Sequence, residues 1–142
     1  MKEYIFLVED SQDDELLTKR ALQKGMIKNE VIVARDGAEA LDYLFCKGAY
    51  STRDPSQMPQ VVLLDLKLPK IDGLEVLRRI RANEKTKRLP VIILTSSREE
   101  KDLYEGYNGG ANSYIVKPVD LNQFEESIKQ LGLYWLVLNE SL

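Results

Sequence analysis

Val61-Val62-Leu63-Leu64-Asp65-Leu66-Lys67-Leu68-Pro69-Lys70-Ile71-Asp72-Gly73 is the stretch on which the fold turns. Its first four residues are aliphatic with no polar alternation, the pattern of a strand buried on both faces of a parallel sheet. The run stops on a carboxylate, and after Val-Val-Leu-Leu an aspartate has few solvated positions open to it. The same pattern recurs in both directions. Tyr4–Val8, Val31–Ala34, Val91–Leu94 and Tyr114–Val116 are further short apolar runs rich in Val, Ile and Leu.

Amphipathic segments with readable ends lie between these runs. The first spans about Gln12 to Lys24, with Leu16, Leu17, Ala21 and Leu22 expected inward, and stops at Gly25. The second starts at Asp36 with Glu39 three residues on, a capping-box spacing, and ends near Gly48. The third covers about Leu74 to Asn83. The fourth opens with Ser97 and Glu100, again at capping-box spacing, and ends at Gly109–Gly110. The fifth follows Asp120, shows Phe124, Ile128 and Leu131 on one face, and ends at Gly132. Five strands alternating with five helices predict a doubly wound α/β sheet with right-handed crossovers. Residues 47–60, with Gly48, Pro55 and Pro59, form a connection that is long for such a fold.

The chain has 142 residues, one domain's worth, expected to run 1–142. At that length roughly 70% of the unfolded surface is buried, so a core forms without staples. A net charge of −3 disfavours nucleic acid as a direct partner, because phosphate backbones select a basic face. The single cysteine, Cys46, reads as a small apolar residue, since no disulfide or metal-type spacing exists. There is no histidine, so imidazole is unavailable as base, zinc ligand or phosphate carrier. The run Tyr4–Val8 is too short for a signal peptide and no stretch approaches ~20 apolar residues, so a cytoplasmic protein with no membrane span is expected.

Four of the five apolar runs end in polar residues with chemical potential: Glu9 and Asp10, Asp65, Thr95, and Lys117. Open α/β sheets bind ligands beyond the carboxyl ends of their strands, so with the first strand central these side chains converge. Glu9, Asp10 and Asp65 brought together repel one another unless a divalent cation keeps them ionised. With oxygen ligands only and no calcium-loop spacing, the expected metal is Mg2+. Asp65 can then act as a nucleophile toward a phosphoryl group, with Lys117 as a point charge and the Thr95 hydroxyl as a donor. Each residue taken singly has a plainer reading: Asp10 as a helix cap beside Ser11 and Asp13, Thr95 as a strand-end turn residue, Lys117 as a solvated lysine. The information lies in the set and its order.

Taken together, Glu9-Asp10, the block Asp65–Gly73, Thr95-Ser96-Ser97 and Tyr114-Ile115-Val116-Lys117-Pro118 resemble the response-regulator receiver family, with its CheY-like fold, over about residues 3–132. The resemblance implies a flavodoxin-like five-stranded parallel sheet of order 2-1-3-4-5. It implies a phosphoacceptor in a two-component phosphorelay, not an enzyme, promoting only its own phosphorylation and dephosphorylation. Asp65 falls at the phosphorylated position. Asp10, Asp65 and the backbone carbonyl of Lys67 fall at the Mg2+ positions, with Glu9 reaching the metal through water. Thr95 and Lys117 fall at the phosphoryl-contacting positions, Tyr114 at the aromatic switch that accompanies Thr95, and Lys117–Pro118 at the family's cis peptide. The implied partner is a sensor histidine kinase.

The long segment 47–60, the stretch Gly110–Tyr114 and the tail Tyr134–Leu138 look most like the single-domain receivers that partner phytochrome-type kinases and lack a DNA-binding output domain. The apolar extension 133–142 is expected either to cover the domain's own surface or to pair two chains as a homodimer. Lys67 is basic where many relatives are neutral or acidic, and is expected to screen an acyl phosphate from water. A phosphatase of the haloacid-dehalogenase class needs a second Asp two residues after the nucleophile, where this chain has Lys67. A receiver-like module without phosphorylation usually lacks an acid or the lysine, and this chain keeps both. A nucleotide-binding reading fails for want of a glycine-rich loop after the first strand.

Overall fold

The computed structural model describes residues 3–25, 27–96 and 113–131. The predicted helix between Ser97 and Gly109–Gly110, and the tail after residue 131, lie outside them. The strands are β1 (Tyr4–Val8), β2 (Glu30–Ala34), β3 (Val61–Asp65), β4 (Val91–Thr95) and β5 (Ser113–Val116). The described helices are α1 (Gln12–Lys24), α2 (Gly37–Phe45), α3 (Gly73–Ala82) and α4 (Leu121–Leu131), with a 3-10 turn at Gly48–Tyr50. All strands are parallel, in the order β2-β1-β3-β4-β5. This is the doubly wound α/β architecture expected from the alternation of strands and helices.

The strands carry aliphatic side chains on both faces because both faces are covered. Phe6, Val8, Val62, Leu64, Val91 and Ile93 pack with Ala40, Leu44, Val76, Leu77 and Ile80 of α2 and α3. Ile5, Leu7, Val61, Leu63, Ile92 and Leu94 pack with Ala21, Leu22, Phe124 and Ile128 of α1 and α4. The helix starts follow from short polar side chains that satisfy free amides. Ser11 Oγ accepts from Asp14 N at 3.2 Å, Asp36 Oδ1 from Glu39 N at 2.7 Å and Asp72 Oδ1 from Glu75 N at 3.0 Å.

Two expectations are corrected. Leu16 and Leu17 do not face the core; they are 53% and 41% exposed, and the buried side of α1 is Glu15, Thr18, Ala21 and Leu22. At 100° per residue Leu16 and Leu17 sit about 120–140° around the helix from Leu22, off the core stripe. Glu15 takes the inward position because Lys19 Nζ meets it at 2.7 Å and Arg35 at the end of β2 donates to it as well. Further on, α2 stops at Phe45 rather than near Gly48, where Cys46 turns left-handed at φ 56°.

The long connection 47–60 is pinned by several side chains, Arg53 making the most bonds. Arg53 donates to the carbonyls of Tyr43 at 2.8 Å, Leu44 at 3.3 Å and Gln57 at 2.5 Å, and its guanidinium lies 4.3 Å from the Tyr43 ring centroid. Tyr50 donates to Glu39 Oε2 at 2.6 Å, and Tyr4 donates to the Gln57 carbonyl at 2.6 Å. Gln60 N closes on the carbonyl of Tyr4 at 2.8 Å, so the segment sits at the amino ends of β1 and β3.

Candidate functional site

Strand register brings the site together one step at a time. Val8 pairs with Leu64, so Glu9 and Asp65 lie side by side just beyond. Asp65 pairs with Leu94, leaving Thr95 one residue further, and Thr95 pairs with Val116, leaving Lys117 one further again. The ladder continues past the strands, with Lys117 N donating to the carbonyl of Thr95 at 2.7 Å. β1 and β3 flank the point where strand order reverses, which is where such sheets hold ligands.

Lys117 is the hub. Its Nζ lies 2.8 Å from Glu9 Oε1, 3.0 Å from Asp14 Oδ2 and 3.1 Å from Asp65 Oδ2, with the side chain 13% exposed. Asp65 is buried, and its Oδ1 accepts from the amide of Lys67 at 3.2 Å. Glu9 is fully buried; Oε2 accepts from Ser11 N at 3.3 Å, while Oε1 meets the Lys117 charge without an aligned hydrogen bond. Burial pushes the Glu9 carboxyl up to about 7, against the pull of Lys117 and with the Asp65 charge adding to the rise. Burial acts to lower Lys117, but the close contacts with Glu9 and Asp14 and the Asp65 charge outweigh it, so the ammonium is held well above its ordinary range.

Glu9, Asp10 and Asp65 each bring a carboxylate oxygen within 4.8 Å of the other two. Glu9 and Asp65 are buried and Asp10 is exposed, so the cluster opens to solvent on one side. The single charge of Lys117 does not balance these three carboxylates and Asp14, so the contacts described leave a negative excess. The unaligned, buried Glu9 Oε1 and an all-oxygen donor set fit a hard divalent cation such as Mg2+.

The remaining predicted residues are placed as follows. Thr95 is buried at the end of β4, next to Asp65 in the sheet. Tyr114 on β5 is half-buried and packs on the α2–α3 side of the sheet. The side chain of Lys67 is exposed beside Asp65, and the Lys117–Pro118 bond is cis. The chain comes close behind the end of β3: a Cβ on Gly73 would lie 2.2 Å from the Asp65 carbonyl oxygen.

Asp14 is the site residue that the sequence reading did not single out. The available signal was topological: in a doubly wound sheet the first turn of α1 sits over the carboxyl end of β1, so its acids face the ligand site. A groove of about 680 Å³ between the C-terminal ends of α2 and α3, lined by Phe45, Lys47, Met58, Arg78 and Arg79 among others, lies away from the carboxylates. Among the described residues no helix is long and apolar enough to cross a membrane.

A family model for the response regulator receiver domain matches residues 5–129. The structure of the bacteriophytochrome response regulator AtBRR is 52% identical, with a TM-score of 0.88, over 95% of this chain and 96% of that one. Response regulator Rcp1 of Synechocystis sp. is 39% identical over 132 residues, 93% of this chain and 88% of that protein. The Mn(2+)-bound crystal structure of Rcp1 matches with a TM-score of 0.73 at 38% identity over 95% of each chain. The phosphorylated cyanobacterial phytochrome response regulator RcpA matches at 39% identity with a TM-score of 0.74, over 96% of this chain and 95% of that one.

Proposed function

The chain belongs to the response regulator receiver family, and on that footing we propose that it is a phosphoacceptor whose acceptor is Asp65 and whose donor is a histidine kinase of the phytochrome type. The observation that carries this reading is the buried Asp65 carboxylate 3.1 Å from Lys117 Nζ, with Glu9 and Asp10 oxygens within 4.8 Å. The phosphorylated and Mn(2+)-bound relatives support it by likeness.

In the transfer, an Asp65 carboxylate oxygen attacks phosphorus and the phosphorus–nitrogen bond of the donor phosphohistidine breaks. The electron pair returns to the imidazole, and the product is an aspartyl phosphate. Positioning and charge neutralisation do most of the catalytic work in such a step. Mg2+ held by Asp10, Asp65 and the Lys67 carbonyl, with Glu9 through water, would supply positive charge for the phosphoryl oxygens. Lys117 neutralises another oxygen and the Thr95 hydroxyl donates to it.

The modification brings about −1.5 to −2 charge. Thr95 and Lys117 move toward it, Tyr114 turns inward, and the face that includes β5 and α4 changes its contacts with protein partners. Full switching between two states takes a differential stabilisation of about 5.5 kcal/mol. Lys67 screens the acyl phosphate from attacking water, and the apolar tail 133–138 pairs two chains as a homodimer.

The test is incubation with acetyl phosphate or beryllofluoride and Mg2+, comparing wild type with Asp65→Ala. Modification confined to the wild type is expected. Modification that persists in Asp65→Ala overturns the assignment.

A further inference from the structure

We propose that Asp14 is a positioning residue for Lys117: it holds the ammonium at the acceptor before transfer and gives it up to the phosphoryl group afterwards. The inference rests on Asp65 being the acceptor. Lys117 hydrogen-bonds Asp14 at 3.0 Å and Asp65 at 3.1 Å and meets the Glu9 charge at 2.8 Å without an aligned hydrogen bond. A phosphoryl oxygen that takes Lys117 as a partner competes with these carboxylates for the ammonium.

The three differ in what they lose on separation. The Glu9 side chain is fully buried, so bulk solvent does not replace the lysine there. Asp65 carries the incoming group and stays beside it. The Asp14 side chain is 34% exposed, so water replaces the lysine there at little cost. Asp14 is the exchangeable partner.

Local structure fits this role. Asp14 lies in the first turn of α1, its own amide tied to the cap Ser11 at 3.2 Å, so its carboxylate is presented from a fixed helix end. The contact with Lys117 joins residues 103 positions apart, the start of α1 and the residue after β5. Its loss on phosphorylation uncouples those two elements. The same negative charge, left beside a phosphoryl group, opposes the modified state, so the residue both orients the lysine and shortens the signal.

Beryllofluoride affinity in Mg2+ and the half-life of the acetyl-phosphate-derived aspartyl phosphate read this directly. Asp14→Asn keeps shape and removes charge; it is expected to bind beryllofluoride roughly fivefold more tightly and to lengthen the half-life by a similar factor. Asp14→Glu is expected to return both toward wild type. Asp13→Asn removes a charge from the same helical turn, and is expected to leave both values within twofold. The proposal is overturned if Asp14→Asn matches wild type or moves the other way, if Asp14→Glu fails to rescue, or if Asp13→Asn has the same effect. A wild type that takes up neither reagent overturns the acceptor assignment itself, a result distinct from all of these.

Discussion

Replacing Arg53 by Met removes the fastening of the connection between α2 and β3 while keeping its length and most of its apolar stem. The guanidinium donates to the Tyr43 and Gln57 carbonyls at 2.8 and 2.5 Å, reaches the Leu44 carbonyl at 3.3 Å, and lies over the Tyr43 ring at 4.3 Å. The side chain is half-buried, so water recovers part of what is lost. Each of the two short bonds then contributes about 1 kcal/mol, and the ring contact about 0.5–1 kcal/mol. The expected destabilisation is about 3 kcal/mol, a fall in Tm of about 8–12 °C for a domain of this size. Arg53→Lys keeps the charge but not the fork and is expected to recover less than half of the loss. Urea and thermal unfolding measure both. Beryllofluoride affinity is expected to stay within twofold, because the segment sits at the amino ends of β1 and β3, opposite the site. A Tm drop below about 3 °C in Arg53→Met, or a large change in beryllofluoride affinity, refutes the reasoning.

Other outcomes follow from the same structure. The bond from Lys19 and then that from Arg35 hold the Glu15 carboxyl below its ordinary 4.5, against burial. A depressed folded-state value stabilises the fold above about pH 4.5 and loses that contribution as pH falls through the folded value. Glu15→Gln is expected to cost about 1 kcal/mol at pH 7 and to lose less stability than wild type between pH 5 and 3, as read by urea midpoints. Gly73→Ala places a methyl 2.2 Å from the Asp65 carbonyl oxygen and 2.7 Å from Leu66 Cα; a loss of about 2–3 kcal/mol with slower acetyl phosphate uptake is expected. Lys67→Asn is expected to shorten the aspartyl phosphate half-life, and an unchanged half-life removes Lys67 from that role. Sedimentation of the full chain against one ending at Gly132 is expected to show a dimer only for the former; two monomers rule out the tail as the interface.

Much of the architecture was legible because buried parallel strands write themselves as unbroken aliphatic runs. Val61–Leu64 and its four counterparts agree with β1 to β5 to within a residue at most ends. The clustering of the candidate site residues was legible for the same reason: polar residues that interrupt such runs stand at strand termini, where Glu9, Asp65, Thr95 and Lys117 are found. What was not legible depends on partners distant in sequence. Glu15 reads as a surface residue until Arg35, 20 positions on, is placed beside it, and only then do Leu16 and Leu17 turn outward. Asp14 reads as a helix-start acid until Lys117 arrives from the far end of the chain. Arg53 has no sequence signal at all, because its partners are backbone carbonyls, which every residue has.

The placement of the connection 47–60 has a practical side. Tyr50 is tied to Glu39 and Arg53 to the Tyr43 carbonyl, while Ser51 and Thr52 between them are exposed. A peptide tag or fluorescent module spliced between those two residues would hang from the pole of the domain opposite the carboxylates. Such a fusion would leave the Glu9, Asp10 and Asp65 cluster uncovered, giving a labelled domain whose reporter neither blocks that end nor shares its charge.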